Sequence, residues 1–116
     1  PRCPRCGSLA RPNILMFGDL SWLEQRSEAQ RQRETRWFES IADSRARVVI
    51  VEMGAGTALP SVRHFSHRIS FEYGARIIRI NPREPQVPSS SDLGLATGAL
   101  QALLGIDLAI EDRADD

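Results

Sequence analysis

Arg47-Val48-Val49-Ile50-Val51-Glu52-Met53-Gly54-Ala55-Gly56-Thr57 is the stretch whose reading decides the fold. Its first seven residues are β-branched and almost continuously apolar, the composition of a strand buried on both faces of a sheet. Its last four are small and close the strand in a tight turn. A helix pattern follows over Leu59 to Tyr73, with Val62, Phe65, Ile69 and Tyr73 at three- and four-residue spacing and Gly74 where a helix would stop. Arg76-Ile77-Ile78-Arg79-Ile80-Asn81 then repeats the strand composition and ends on Pro82. The order strand, helix, strand predicts an α/β fold with a parallel sheet, which binds ligands at the carboxyl ends of its strands. Both the glycine-rich turn and Asn81-Pro82 fall at such ends.

Downstream, Pro85, Pro88 and Ser89 to Ser91 read as a polar loop. Leu93 to Leu104 reads as a last helix rich in small residues, and Asp112, Asp115 and Asp116 belong to a frayed acidic tail. Upstream, Trp22 to Asp43 is free of Pro and Gly and interleaves both signs of charge. It predicts a helix with a solvated first part and a last part docked through Trp37, Phe38, Ile41 and Ala42. Residues 1–21 predict a loop, a short strand at Ile14-Leu15-Met16-Phe17 and a turn at Gly18-Asp19.

With 116 residues, 41% of them hydrophobic, the chain has the means for one domain. Fifteen basic residues balance fifteen acidic ones, so no net field draws it to nucleic acid or an anionic membrane. All fifteen bases are Arg, which reads as coding bias. No apolar run approaches the roughly 20 residues that a membrane span needs. The chain starts at Pro1 without Met or a signal-like segment, and is expected to be a piece of a longer, soluble, cytosolic protein.

Cys3-Pro4-Arg5-Cys6-Gly7 has the C-x-x-C spacing that presents two thiolates to one tetrahedral zinc ion. Two ligands make half a site. The same spacing also suits a redox dithiol, which belongs at the start of a helix, or two unpaired thiols. The remaining zinc ligands would come from sequence upstream, from a second copy of the chain, or from His64 or His67, which otherwise read as a surface or partly buried pair on one helix. Gly54, Ala55, Gly56 and Thr57 form a plausible cradle for a phosphate or ribose, or simply a tight strand-to-helix turn. Asn81 can offer donor and acceptor to ribose hydroxyls, or can shape the turn before Pro82.

Together these pieces resemble the C-terminal part of the sirtuins, the NAD-dependent protein deacylases, from Cys3 to about Leu104. The most specific portion is Cys3-Pro4-Arg5-Cys6-Gly7 followed by Leu9-Ala10-Arg11-Pro12-Asn13-Ile14-Leu15-Met16-Phe17-Gly18-Asp19. It is similar to that family's second zinc cysteine pair and its R-P-x-x-x-x-F-G-E segment. Gly54-Ala55-Gly56 stands where the family has G-T-S, and Ile80-Asn81-Pro82 matches its I-N. The stretch around Thr97-Gly98-Ala99-Leu100 resembles the one whose backbone lies by adenine.

The resemblance implies a Rossmann-like half domain preceded by the remnant of a zinc module. Residues 1–12 would be that remnant, 13–110 the C-terminal half of the NAD-binding domain and 111–116 an acidic tail. It implies structural zinc on Cys3 and Cys6, and NAD on Gly54, Ala55, Gly56, Thr57, Asn81, Pro82 and Gly98. An acyl-lysine peptide would pair with Met16, Phe17 and Gly18 as an added strand. Asp19 replaces the family's Glu, Ala55 and Gly56 replace Thr and Ser, and Ser61 replaces a common Pro, as in a divergent bacterial-type branch. The family's N-terminal glycine-rich loop, first cysteine pair and catalytic His have no counterpart here. In the implied reaction the acyl oxygen attacks C1′ of the nicotinamide ribose as nicotinamide leaves, with that His as general base. No catalytic residue is therefore expected in this chain, which is expected to be inactive alone. Two other readings are a non-catalytic nucleotide-binding or dimerisation module in which two chains pool their cysteines around one zinc, and an unrelated α/β protein with chance motifs.

Overall fold

The computed structural model describes residues 1–12 and 14–114; Asn13 of the quoted motif and Asp115 and Asp116 of the acidic tail lie outside the described residues. The chain forms two compact units, Pro1–Ser40 and Ile41–Asp116.

In the first unit, residues 1–10 turn back on themselves. Arg2 and Leu9 form an isolated antiparallel bridge, and the Gly7 amide donates to the Cys3 carbonyl (2.9 Å). Gly7 sits at φ 71°, a conformation open to glycine and costly for most other residues. The strand expected at Ile14–Phe17 is not formed: those residues are 60 to 109% exposed and pair with no other strand among the described residues. A β-prone run stays irregular without a ladder partner.

Helix α1 (Gln25–Ser44) carries no fully buried residue; of the stripe expected to dock, Phe38 and Ile41 are half-buried while Trp37 and Ala42 are exposed, and Ile41 and Ala42 line a hollow with Glu72 and Tyr73. Trp37 is 58% exposed and its ring lies tilted against that of its neighbour Phe38, ring centroids 4.9 Å apart. The helix is supported by local pairs such as Arg31 to Glu28 (2.6 Å).

The second unit holds the sheet. β1 (Val49–Met53), α2 (Ser61–Tyr73) and β2 (Arg76–Ile80) follow in the predicted order, and β1 and β2 pair in parallel from Val49 opposite Arg76 to Met53 opposite Ile80. α2 ends on Gly74 at φ 61°, whose amide donates to the Ser70 carbonyl, the left-handed C-cap that the sequence signals. The central strand β2 buries Ile77, Arg79 and Ile80.

Two expectations are corrected. β1 is an edge strand and not buried on both faces: Val49, Val51 and Met53 are about half exposed, while Glu52 on the opposite face is buried. The segment from Leu93 is not wholly helical: Leu93–Leu95 forms β3, parallel to β2, and α3 runs from Ala99 to Ala114. Leucine spacing suggested one helix, but the sheet edge captures the first three residues. Helix α3 then continues beyond Leu104 through Asp112, with Arg113 in its last turn to offset the helix dipole.

Candidate functional site

The parallel order brings the carboxyl ends of three strands to one edge, with the Gly54 amide bonded to the Ile80 carbonyl (3.0 Å) and the Asn81 amide to the Leu95 carbonyl (3.0 Å). The residues after each strand therefore share one rim. Gly54, Gly56, Asn81, Arg83 and Glu84 line a cleft of about 350 Å³ there. Gly54 takes φ 70°, and a Cβ on Gly56 would come within 3.3 Å of a Glu84 carboxylate oxygen, so both glycines have a steric reason.

Asn81 is 7% exposed. Its Oδ1 accepts the amides of Arg83 and Glu84 (3.0 Å each), and its Nδ2 donates to the Ala55 carbonyl (3.2 Å). The side chain thus forms the turn and also ties it to the glycine loop. Pro82 lies in this turn, exposed. Glu84, overlooked in the sequence, reaches across to accept the Thr57 amide (3.1 Å) and the Thr57 hydroxyl. Those Thr57 contacts, the hydroxyl foremost, and the Arg63 and Arg83 charges hold the Glu84 carboxyl below the usual carboxylate range.

At the third strand end, the Thr97 hydroxyl donates to Gln101 Oε1 (3.0 Å) and the Gly98 carbonyl accepts the Ala102 amide (3.1 Å) as α3 begins.

Behind the rim lies a buried polar cluster that the sequence reading also missed. Arg79 is paired with Glu52 through its Nε and through Nη2 (3.3 Å), gives Nη1 to the Gln86 carbonyl, and points Nη2 at His67 Nε2 (3.0 Å). A guanidinium only donates, so His67 Nε2 accepts and its ring proton sits on Nδ1. Arg63 on α2 gives Nε to the Ala55 carbonyl (3.0 Å) and Nη2 to the Glu84 carbonyl (2.7 Å). Burial pushes the Glu52 carboxyl up, but hydrogen bonds from Arg79 and Ser66 and the charges of Arg79 and Arg63 prevail and hold it low. The available signal was a charge set inside each β-branched strand, two residues before its terminal Gly54 or Asn81.

In the first unit, the Cys3-to-Gly7 turn places two free thiols side by side. Hydrogen bonds from the Ser8 amide, the Ser8 hydroxyl and Cys3 lower the Cys6 thiol pKa. That donor set suits half of a zinc site. Among the described residues no group of three or more His, Cys, Asp and Glu is gathered to hold a metal. Further along, Arg11 pairs with Asp19 (2.6 Å) and donates to the Ile14 carbonyl (2.9 Å). The loop so closed presents Leu15, Met16, Phe17 and Gly18 around an apolar hollow of about 470 Å³. Among the described residues no helix is long and apolar enough to cross a membrane.

This is an α/β chain with a parallel sheet and a polar cleft at its carboxyl edge. Along most of its length its sequence is similar to that of the sirtuins, the NAD-dependent protein deacylases. It is 29% identical over 99% of its length to an NAD-dependent protein deacylase of Thermus thermophilus, covering 41% of that protein. It is 31% identical over 80% of its length to one from Thermococcus kodakarensis, and 29% identical over 89% to an NAD-dependent protein deacetylase of Caldivirga maquilingensis, covering 32% and 35% of them. The chain thus spans about two fifths or less of the length of these relatives. No family model matches it, and no solved structure matches it.

Proposed function

We propose that this chain is the C-terminal part of a cytoplasmic NAD-dependent protein lysine deacylase, supplying the adenosine side of the NAD site, an acyl-peptide strand and two zinc thiolates. The observation that carries this reading is the meeting of the Gly54–Thr57 turn with Asn81 and Glu84 at the carboxyl edge of the sheet. Bound there, NAD would supply the ribose that accepts the acyl group and the nicotinamide that leaves. The chain's own part is to bind and orient. The Gly54 and Gly56 backbone leaves room for a ligand, Thr57 offers a hydroxyl, Glu84 offers acceptors to ribose hydroxyls, and Gly98 at the start of α3 would flank the base.

Met16, Phe17 and Gly18 would pair with an extended acyl-lysine peptide, these residues being exposed and outside any ladder. Cys3 and Cys6 would give zinc two thiolates, the others coming from a further part of the enzyme. His64 and His67 both follow the glycine turn, and His67 is engaged with Arg79. Neither is assigned as the general base, so the chain alone does not turn over.

Titrating the 116-residue protein with ADP-ribose, followed by amide chemical shifts, tests the reading. Shifts confined to the Gly54–Thr57, Asn81–Glu84 and Thr97–Ala99 amides are expected; saturating ADP-ribose with no such shifts would overturn the cleft assignment. NAD-dependent deacylation of an acetyl-lysine peptide by the chain alone would overturn the placement of the catalytic half elsewhere.

A further inference from the structure

The connection from β2 to β3, residues 81–92, holds no helix or strand, yet it supplies Asn81, Arg83 and Glu84 to the cleft. A loop of that length without regular structure is ordinarily among the least stable parts of a domain. Here its first half is held by unusual means. Arg63 bridges the Ala55 carbonyl on one side and the Glu84 carbonyl on the other. Arg79 bridges the Glu52 carboxylate and the Gln86 carbonyl. The two arginines are 7% and 2% exposed. Between their attachment points, the Pro85 carbonyl presses against β3 where Gly94 has no side chain; a Cβ there would lie 2.2 Å from that oxygen.

We infer that Arg63 and Arg79 are positioning residues that latch segment 84–86 to the sheet, so that Glu84 faces the Gly54–Thr57 turn before any ligand binds. Withdrawing two guanidinium groups from water is expensive, and an apolar pair at Glu52 and Arg79 would hold the strands as well or better. What the charged arrangement adds is direction. Glu52 occupies Nε and Nη2 of Arg79, and the planar fork then aims Nη1 at Gln86; a lysine ammonium has no such fixed geometry. His67, accepting from Nη2, braces the same plane from α2. Ser66, beside Glu52 on that helix, and Arg63 complete the polar groups facing the pair. The latch rests on the reading of this cleft as a nucleotide site only for its purpose, and its mechanical part can be read without ligand.

The test compares the 116-residue chain with two variants, Arg63→Lys and the double variant Glu52→Leu/Arg79→Met, by amide hydrogen exchange without ligand and by ADP-ribose titration. The expected result is faster exchange at the Thr57 and Glu84 amides by about tenfold or more, the worth of one lost hydrogen bond, with β2 amides unchanged in both variants. ADP-ribose should bind correspondingly weaker. Loop amides as protected as in the parent chain, in both variants, would overturn the latch. Faster loop exchange in the variants, with a parent chain that never binds ADP-ribose, would uphold the latch and sink the nucleotide reading instead. Arg63→Lys keeps the charge and leaves Glu52 paired, so it reports even if the double variant folds poorly.

Discussion

Glu52 and Arg79 face each other in register across β1 and β2, their side chains 1% and 2% exposed. Removing one partner strands a charge in the interior, whereas removing both leaves two apolar groups of similar reach. Arg79→Met alone should therefore cost about 3–5 kcal/mol of folding stability, and adding Glu52→Leu should restore most of it. Chemical unfolding of the two variants beside the parent chain checks this. Equal losses in single and double variants would show that the residues are not coupled.

The same pair sets an acid limit. Glu52 titrates below its ordinary value of 4.5 in the folded chain. The unfolded state therefore takes up a proton first as pH falls, and protonation favours unfolding. The stability contributed by Glu52 should be complete above the unfolded value and drain away as pH drops through it toward the lower folded one. Unfolding free energies measured from about pH 6 to about pH 3 should fall more steeply for the parent chain than for Glu52→Gln. Parallel curves would mean that Glu52 carries none of the pH dependence.

Sequence pattern reached as far as local period and punctuation could carry it. Met53-Gly54, Gly74 and Asn81-Pro82 mark their element ends because a left-handed turn or a proline leaves a signature at one position. Leu93–Leu95 could not be read this way. Three residues hold no period, and what makes them a strand is the neighbouring β2 edge. Glu84 was missed for a related reason: its partner Thr57 is 27 residues away, and only the parallel pairing brings them together. Asn81 carried two readings, ribose contact and turn former; the fold shows the turn directly. Trp37, Phe38, Ile41 and Ala42 suggested a docked helix end, and apolar spacing alone could not give the depth: Phe38 and Ile41 are half-buried, Trp37 and Ala42 exposed.

Gly94 offers a steric test of how closely the loop approaches the sheet. A methyl at that position would meet the Pro85 carbonyl oxygen at 2.2 Å, and the obstacle is backbone rather than a side chain that can swing aside. Gly94→Ala should cost about 1–3 kcal/mol, the range for overpacking. At Gly98 a Cβ would have nothing within 4 Å, and Gly98→Ala should change stability by no more than about 0.5 kcal/mol. Thermal unfolding of the two variants supplies the comparison. A Gly94→Ala variant as stable as Gly98→Ala would mean that the loop does not lie against β3 in solution.

The cysteine turn makes the last distinction, because its two donors are arranged but too few. Gly7 and the Ser8 amide shape the C-x-x-C loop, and the lowered Cys6 thiol favours the thiolate that zinc requires. Tetrahedral zinc needs two more ligands. If these belong to a further part of a deacylase, the chain at low micromolar concentration should stay monomeric and hold zinc only weakly. A second C-x-x-C peptide should then tighten binding, and should give cobalt a tetrahedral thiolate spectrum. Cys6→Ser should abolish that gain. Binding should strengthen as pH rises, since the thiols must lose protons to bind. If two chains pool their cysteines instead, the parent protein alone should take up half a zinc per chain and sediment as a dimer, and both properties should vanish together in Cys6→Ser. That second outcome would replace the severed-enzyme reading of this end of the chain with a shared-zinc dimer.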